Sequence, residues 1–145
     1  MNNSTKVWVL LLSFLLIGCN DNDFAENPTE SIIGTWQLIE SLIDIGDGNG
    51  DWRPVSVNDG YAYNFSPDGE FTSDRFDECA AGSYSISSVD SELTLVYDCD
   101  GFTQGIEEPA GTFIEQFRFE SNDLILKPTY IFCTEQCGLK FRKAE

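Results

Sequence analysis

The 145-residue chain contains no histidine. That removes the commonest general base, the commonest zinc ligand, and every nucleophile that relies on an imidazole partner. What remains for chemistry is cysteine, carboxylate and aromatic hydroxyl. Apart from Cys19, the cysteines are Cys79, Cys99, Cys133 and Cys137. An even set in an exported chain reads as two disulfides, for which about three connectivities exist. Cys133 and Cys137 flank only Thr134-Glu135-Gln136, so a bond between them would close a tight hairpin mouth and align Ile131 with Leu139. Cys79 and Cys99 bracket another hairpin, and Cys79–Cys99 is the preferred partner pairing. A four-cysteine zinc site fits poorly, because C-x3-C lacks a second short pair.

Carboxylates supply two further groupings. Asp47, Asn49 and Asp51 place oxygens at alternate positions of a glycine-rich run, Asp44 to Trp52, which suits a wrapped calcium ion. The run resembles the first half of an EF-hand loop. It departs at the sixth position, Trp52 in place of glycine, and at the twelfth, Asn58 in place of glutamate. The same residue types are also what turns require. Glu40 and Glu115 are the carboxylates available as an acid/base pair, but no nucleophile motif accompanies them. The expectation is therefore a protein that is not an enzyme, with no cofactor beyond the calcium candidate.

These groups have to be positioned by short strands. Tyr61 to Phe65 alternates aromatic with small or polar residues, the period of a half-buried strand. Ser66-Pro67-Asp68-Gly69 is a turn, and Glu70 to Phe76 the returning strand. Gly82 to Ser87 and Leu93 to Tyr97 make a second hairpin, with Tyr84 opposite Leu95 and Ile86 opposite Leu93. That register puts Cys79 opposite Asp100, an offset that a bulge near Gly82 would repair. Thr112 to Glu120 and Asp123 to Lys127 form a third hairpin; Thr129 to Cys133 and Cys137 to Arg142 close the chain. With a first strand over Thr35 to Ile43, the pattern predicts an all-β sandwich or barrel. The one helical candidate is a single turn over Pro28 to Ile33, with Asn27 as its cap.

In a barrel, alternation turns Trp36, Leu38, Glu40 and Leu42 inward, then Tyr61, Tyr63, Phe65, Phe71, Ser73 and Arg75. The later strands add Tyr84, Ile86, Leu93, Leu95, Phe113, Glu115, Phe117 and Phe119. Glu40, Arg75 and Glu115 are charges within an aromatic interior. Buried charge is costly, so they must sit at a wet mouth, pair, or be turned outward by a bulge. A polar cluster over an aromatic floor is the layout of a ligand pocket; the competing expectation is a filled core with charges at its rim.

The formal charge of −17 repels phosphate backbones, which argues against nucleic-acid binding. Lys6 followed by the apolar run Val7 to Ile17 is too short for a membrane span, which needs about 20 residues, and reads as a cleaved signal segment. Leu16-Ile17-Gly18-Cys19 resembles the lipobox of bacterial lipoproteins. The resemblance implies a signal peptide over 1–18 and cleavage before Cys19. It also implies acylation of that cysteine and permanent anchoring to the outer membrane or another envelope membrane. The acidic tether of residues 19–30 would face the domain, 31–145, to the periplasm or the cell surface. Removing Lys6 with the signal lowers the formal charge by one, from −17 to −18.

Gly34-Thr35-Trp36-Gln37-Leu38 opens the first strand, and Phe65 to Phe71, Gly82 to Ile86, Leu93 to Leu95, Leu124 to Lys127 and Leu139 to Lys143 follow in order. Together these resemble the small bacterial lipocalin-like domains. The resemblance implies an eight-stranded antiparallel up-and-down β-barrel with Trp36 plugging its closed end beneath a basic residue of the last strand. Arg142 is the candidate for that residue, although alternation places it opposite Leu139 and Phe141. It further implies a ligand-holding barrel; with the inward positions read from alternation, the expectation is a monomer holding a small hydrophobic ligand among Trp36, Glu40, Tyr61, Tyr63, Arg75, Glu115 and Phe117. The loop after the first strand would overhang the mouth, with Trp52 as a lid or an aromatic half-packed on the rim. The alternative is a non-enzymatic envelope or surface interaction protein with a filled barrel.

Overall fold

A computed structural model describes residues 31–43, 50–131 and 137–145. Ser31 and Ile32 are helical, and strands follow. These are β1 (Gly34–Ile43), β2 (Asp51–Pro54), β3 (Ala62–Phe65), β4 (Glu70–Ser73), β5 (Ala81–Ser87), β6 (Glu92–Tyr97), β7 (Thr112–Glu120), β8 (Asp123–Pro128) and β9 (Cys137–Lys143). Consecutive strands from β3 to β9 pair antiparallel, and β9 pairs back onto β1. The sheet therefore closes.

Nine segments make eight staves. β2 and β3 lie end to end on the same edge of β1: Pro54 to Asp51 face Glu40 to Ile43, and Phe65 to Ala62 face Gly34 to Gln37. The link between them loops out, its ends held by Val55 N donating to Ile39 O at 2.8 Å and Leu38 N to Tyr61 O at 2.9 Å. β2 was expected as part of a loop; its backbone is recruited because β1 outlasts β3 and leaves donors and acceptors that must be satisfied.

Period-two burial carries the fold. β4 and β6 alternate exposed or half-buried with buried residues, as expected for a pleat with one wet face. Tyr63, Phe65, Phe71, Leu93, Leu95, Phe113, Leu124, Leu126 and Phe141 are all essentially buried and fill most of the lumen. Ring centroids of Tyr63 with Phe65 at 5.5 Å and Phe65 with Tyr84 at 4.9 Å show how densely the aromatics pack.

Three local expectations need correction. Between Leu38 and Glu40 the pairing of β1 with β9 shifts by one residue, leaving Ile39 as a bulge. Leu38 stays opposite inward Phe141, but Glu40 comes opposite outward Lys140. Thr129 to Ile131 is a bend and not a strand. The β5–β6 register, Tyr84 with Leu95 and Ile86 with Leu93, holds, yet it runs unshifted through Gly82 and Tyr97 with no bulge. The Cys79–Cys99 disulfide, with Cα atoms 5.8 Å apart, forms beyond the ladder, between the two connections that flank it. Cys137 is also disulfide-bonded; Cys133 lies outside the described residues.

Candidate functional site

The two ends of the barrel differ. At one end Trp36 is buried and donates its Nε1–H to Ile32 O at 2.6 Å. Lys143, its cross-strand partner on β9, places Nζ 5.4 Å from the Trp36 ring centre. The basic residue over the plug is thus Lys143, where Arg142 had been the candidate. Arg142 points outward and pairs with Asp123, Nε to Oδ1 at 3.0 Å. Lys143 lies on the face of Phe141, two residues away along the pleat, which is why it and not Arg142 reaches the Trp36 ring.

At the other end the connection from β4 to β5 carries Arg75 into the mouth. The disulfide ties this connection to the turn after β6, and Phe76 packs against Tyr97, Phe102 and Phe113 at 5.2–5.5 Å between ring centroids. The Arg75 backbone N–H donates to Ser73 Oγ at 3.1 Å. Its guanidinium lies 4.8 Å from the ring centre of Phe76, 5.2 Å from Phe113 and 5.4 Å from Tyr61. It donates to the Tyr63 hydroxyl at 3.0 Å and to the Tyr130 hydroxyl at 2.8 Å.

Glu115 stands behind this arginine, on β7 and fully buried. Its Oε1 accepts from the Tyr130 hydroxyl at 2.7 Å and lies 3.6 Å from Arg75 Nη1. Its Oε2 is buried with no hydrogen-bond partner, as is the Tyr61 hydroxyl. Burial pushes the Glu115 carboxyl up to about 7, against the lowering effects of the Tyr130 hydrogen bond and the Arg75 charge. Burial also raises Tyr61, Tyr63 and Tyr130, so all three hydroxyls keep their protons at neutral pH.

An open cleft of about 360 Å³ sits in front of this network, lined by Tyr61, Arg75, Tyr130, Ile106, Ile131 and Leu139 among others. The volume falls at the low end of small-molecule sites, about 300–1,000 Å³. Of the residues expected to contact a ligand, Tyr61 and Arg75 line the cleft. Tyr63 and Glu115 lie one hydrogen bond behind it. Trp36 and Phe117 belong to the packed lower core, where Phe119 approaches both rings at 5.9–6.0 Å.

Glu40 is outside altogether: the Ile39 bulge turns it to the outer face, where it pairs with Lys140. Trp52 is on that outer face too, opposite Leu42, with Lys140 Nζ 4.3 Å from its ring centre. It covers Gly138 and not the mouth. Asp51 is exposed at the start of β2; Asp47, Asn49 and Cys19 lie outside the described residues. Among the described residues the grouping of metal-ligand type is Cys79, Asp98 and Cys99, and its two sulfurs are spent in the disulfide.

Tyr130, the centre of the network, was absent from the expected contacts. Its sequence context, Pro128-Thr129-Tyr130-Ile131, reads as strand, and the bend that swings the hydroxyl inward has no local signature.

No protein-family model matches the chain, and no curated protein matches it. Among solved structures, a lipocalin-like protein from Bacteroides uniformis aligns over 79% of this chain and 99% of its own, with 18% identity and a TM-score of 0.50. An uncharacterized protein from Bacteroides eggerthii aligns over 77% and 98%, with 18% identity and a TM-score of 0.49. A DUF4847 family protein from Bacteroides vulgatus aligns over 77% and 94%, with 16% identity and a TM-score of 0.47. The first of these likenesses is one of fold: the chain is an all-β, closed, eight-stranded antiparallel barrel of lipocalin-like form.

Proposed function

We propose that this chain is a lipid-anchored envelope protein whose barrel mouth holds one small, largely apolar ligand. The observation that carries the reading is the 360 Å³ cleft, with aromatic and aliphatic walls and a single cluster of convergent polar groups at its base. Ser31, the first of the described residues, lies beside the Trp36 plug, where its carbonyl accepts from Lys143 Nζ at 3.4 Å. A tether fixed to the membrane through Cys19 would therefore join the barrel at its closed end and leave the mouth facing away from the bilayer.

The test titrates decanol and decanoate into the full chain in lipid nanodiscs. Saturable binding is expected for at least one, weakened at least tenfold by Ile106→Glu, which puts a charge on a cleft wall that is already 52% exposed. Absence of saturable binding by both would end the reading. Loss of membrane retention in Cys19→Ser tests the anchor separately. A second reading, docking of another protein, draws on the filled lower lumen and on Ile106 and Ile131, which are exposed beside the mouth; it gains if neither small molecule binds.

A further inference from the structure

Arg75 is the charged residue among the described residues that line the mouth cleft. A guanidinium offers about five N–H donors in a planar fork and no acceptor. Two of these go to the Tyr63 and Tyr130 hydroxyls. The Tyr61 hydroxyl beside it is a buried donor with no acceptor. A wholly apolar occupant would seal these groups in, at the desolvation cost of each polar group left without a partner. A carboxylate meets both needs, because it is an acceptor-only group whose two oxygens match the guanidinium fork.

A second carboxylate against one arginine creates a conflict with Glu115, 3.6 Å from Arg75 Nη1. Two negative charges sharing one buried cation are resolved by protonating one of them. The groups that face Glu115 are Arg75 from the β4–β5 connection, Tyr61 and Tyr63 from the β3 stave, and Tyr130 from the bend after β8. Tyr97 of β6 faces Tyr63 and Arg75. The cross-strand partners of Glu115, Leu93 and Pro128, carry no charge. Glu107, beside cleft residue Ile106, already spends its carboxylate on the amides of Gln104, Ile106 and Gly111. Glu115 is thus the carboxyl placed to accept the proton. It has a buried oxygen, Oε2, free of hydrogen bonds, and an affinity for protons already raised by burial.

We propose that the ligand is a single-chain amphipathic acid, seated with its carboxylate on Arg75 and Tyr61, and that Glu115 takes up one proton as it binds. This rests on the reading of the cleft as a ligand site and adds the ligand's head group and the proton linkage. One bound anion and one proton from solvent leave the net charge of the site unchanged.

The experiment titrates decanoate and decanol into the full chain in nanodiscs from pH 5.5 to 8.5, following carboxyl-¹³C decanoate by NMR. Decanoate affinity should fall about tenfold per pH unit above pH 7, the slope for uptake of one proton, while decanol affinity stays flat. Glu115→Gln, which keeps an acceptor for Tyr130, should flatten the decanoate profile. The bound ¹³C resonance should stay at its ionised position across the range. Decanoate binding that is independent of pH in the wild-type chain, or decanol binding as tightly as decanoate, would overturn the proposal while leaving an apolar cleft. Failure of both ligands to bind would remove the cleft reading itself. The comparison of the two ligands needs no variant, so it stands even where Glu115→Gln folds poorly.

Discussion

The Tyr130 hydroxyl stands between Arg75 and Glu115, accepting from Arg75 Nη2 at 2.8 Å and donating to Glu115 Oε1 at 2.7 Å. One phenol thereby links a bend after β8 to the β4–β5 connection and to β7. The bend and β7 are neighbours through the β7–β8 hairpin, whereas Arg75 lies 55 residues from Tyr130 and is brought to it by the fold of the barrel.

Tyr130→Phe should remove both hydrogen bonds while keeping the ring against Phe113, whose centroid is 5.0 Å away. Glu115 then loses the contact that most lowers its proton affinity, so its carboxyl should titrate higher than about 7. A stability loss of about 1–3 kcal/mol is expected in urea unfolding at pH 7. A carboxyl-¹³C titration of Glu115 that does not move upward would show that Arg75 alone sets its ionisation.

Glu115 is held above its ordinary value of 4.5, at about 7, by burial first. The folded chain keeps this proton at pH values where the unfolded chain has lost it. Its stabilising effect is therefore complete below about pH 4.5 and disappears as pH rises through about 7. Relative to Glu115→Gln, which does not titrate, the wild-type chain should lose about 3 kcal/mol between those limits. Urea midpoints at pH 4.5, 6 and 7.5 check this; a gap that stays constant with pH would contradict it.

Where sequence and structure agree, the signal is local. The β5–β6 register follows from alternation that only one pairing satisfies, and the β7 span, Thr112–Glu120, is bounded by the Ser121-Asn122 turn. Where they part, the cause is pairing between distant strands. Nothing in Leu38-Ile39-Glu40 announces a bulge; it is set by the ladder to β9, so Glu40 read as inward and is not. The strand character of β2 comes from an unfilled edge of β1. Arg75 and Glu115 were legible as inward charges, whereas Tyr130, which joins them, was not.

Gly82 lies on the inner face of β5, between Phe71 and Tyr97. A Cβ there would fall 2.1 Å from Val96 O and 2.9 Å from both Phe71 Cε1 and Tyr97 Cα. Two of those atoms are backbone within the ladder and cannot yield. Gly82→Ala should cost about 3 kcal/mol or more. Gly101→Ala, with open space but a φ of +71°, should cost only about 1 kcal/mol. Thermal melts that rank the two the other way would mean β5 shifts to make room.

The Cys79–Cys99 disulfide closes a loop of sequence separation 20. Crosslinks of that span restrict the unfolded chain by about 3 kcal/mol. Cys79→Ser with Cys99→Ser should lower stability by that amount. It should also weaken decanoate binding, because the same bond fastens the connection that carries Arg75. Unchanged affinity in a folded double variant would show that Phe76, packed on Phe102 and Phe113, suffices to hold the arginine.

Glu107 shapes the loop that presents Ile106 to the cleft. Its Oε1 accepts from Gln104 N at 2.9 Å and Gly111 N at 3.0 Å, and its Oε2 accepts from Ile106 N at 3.2 Å. Burial alone would raise this carboxyl, but the bonds from Gly111, Thr103 and Gln104 outweigh it and bring it down to about 2. Its contribution is present above the ordinary 4.5 and is lost as pH falls through about 2. Glu107→Gln has one acceptor oxygen where three amides need two, so it should speed amide exchange at Gln104 and Gly111 at least tenfold at pH 6. The barrel strands should be untouched. Were exchange unchanged, Phe102 and the neighbouring disulfide would be holding the loop, and its carboxylate would be a passenger on a shape fixed by packing.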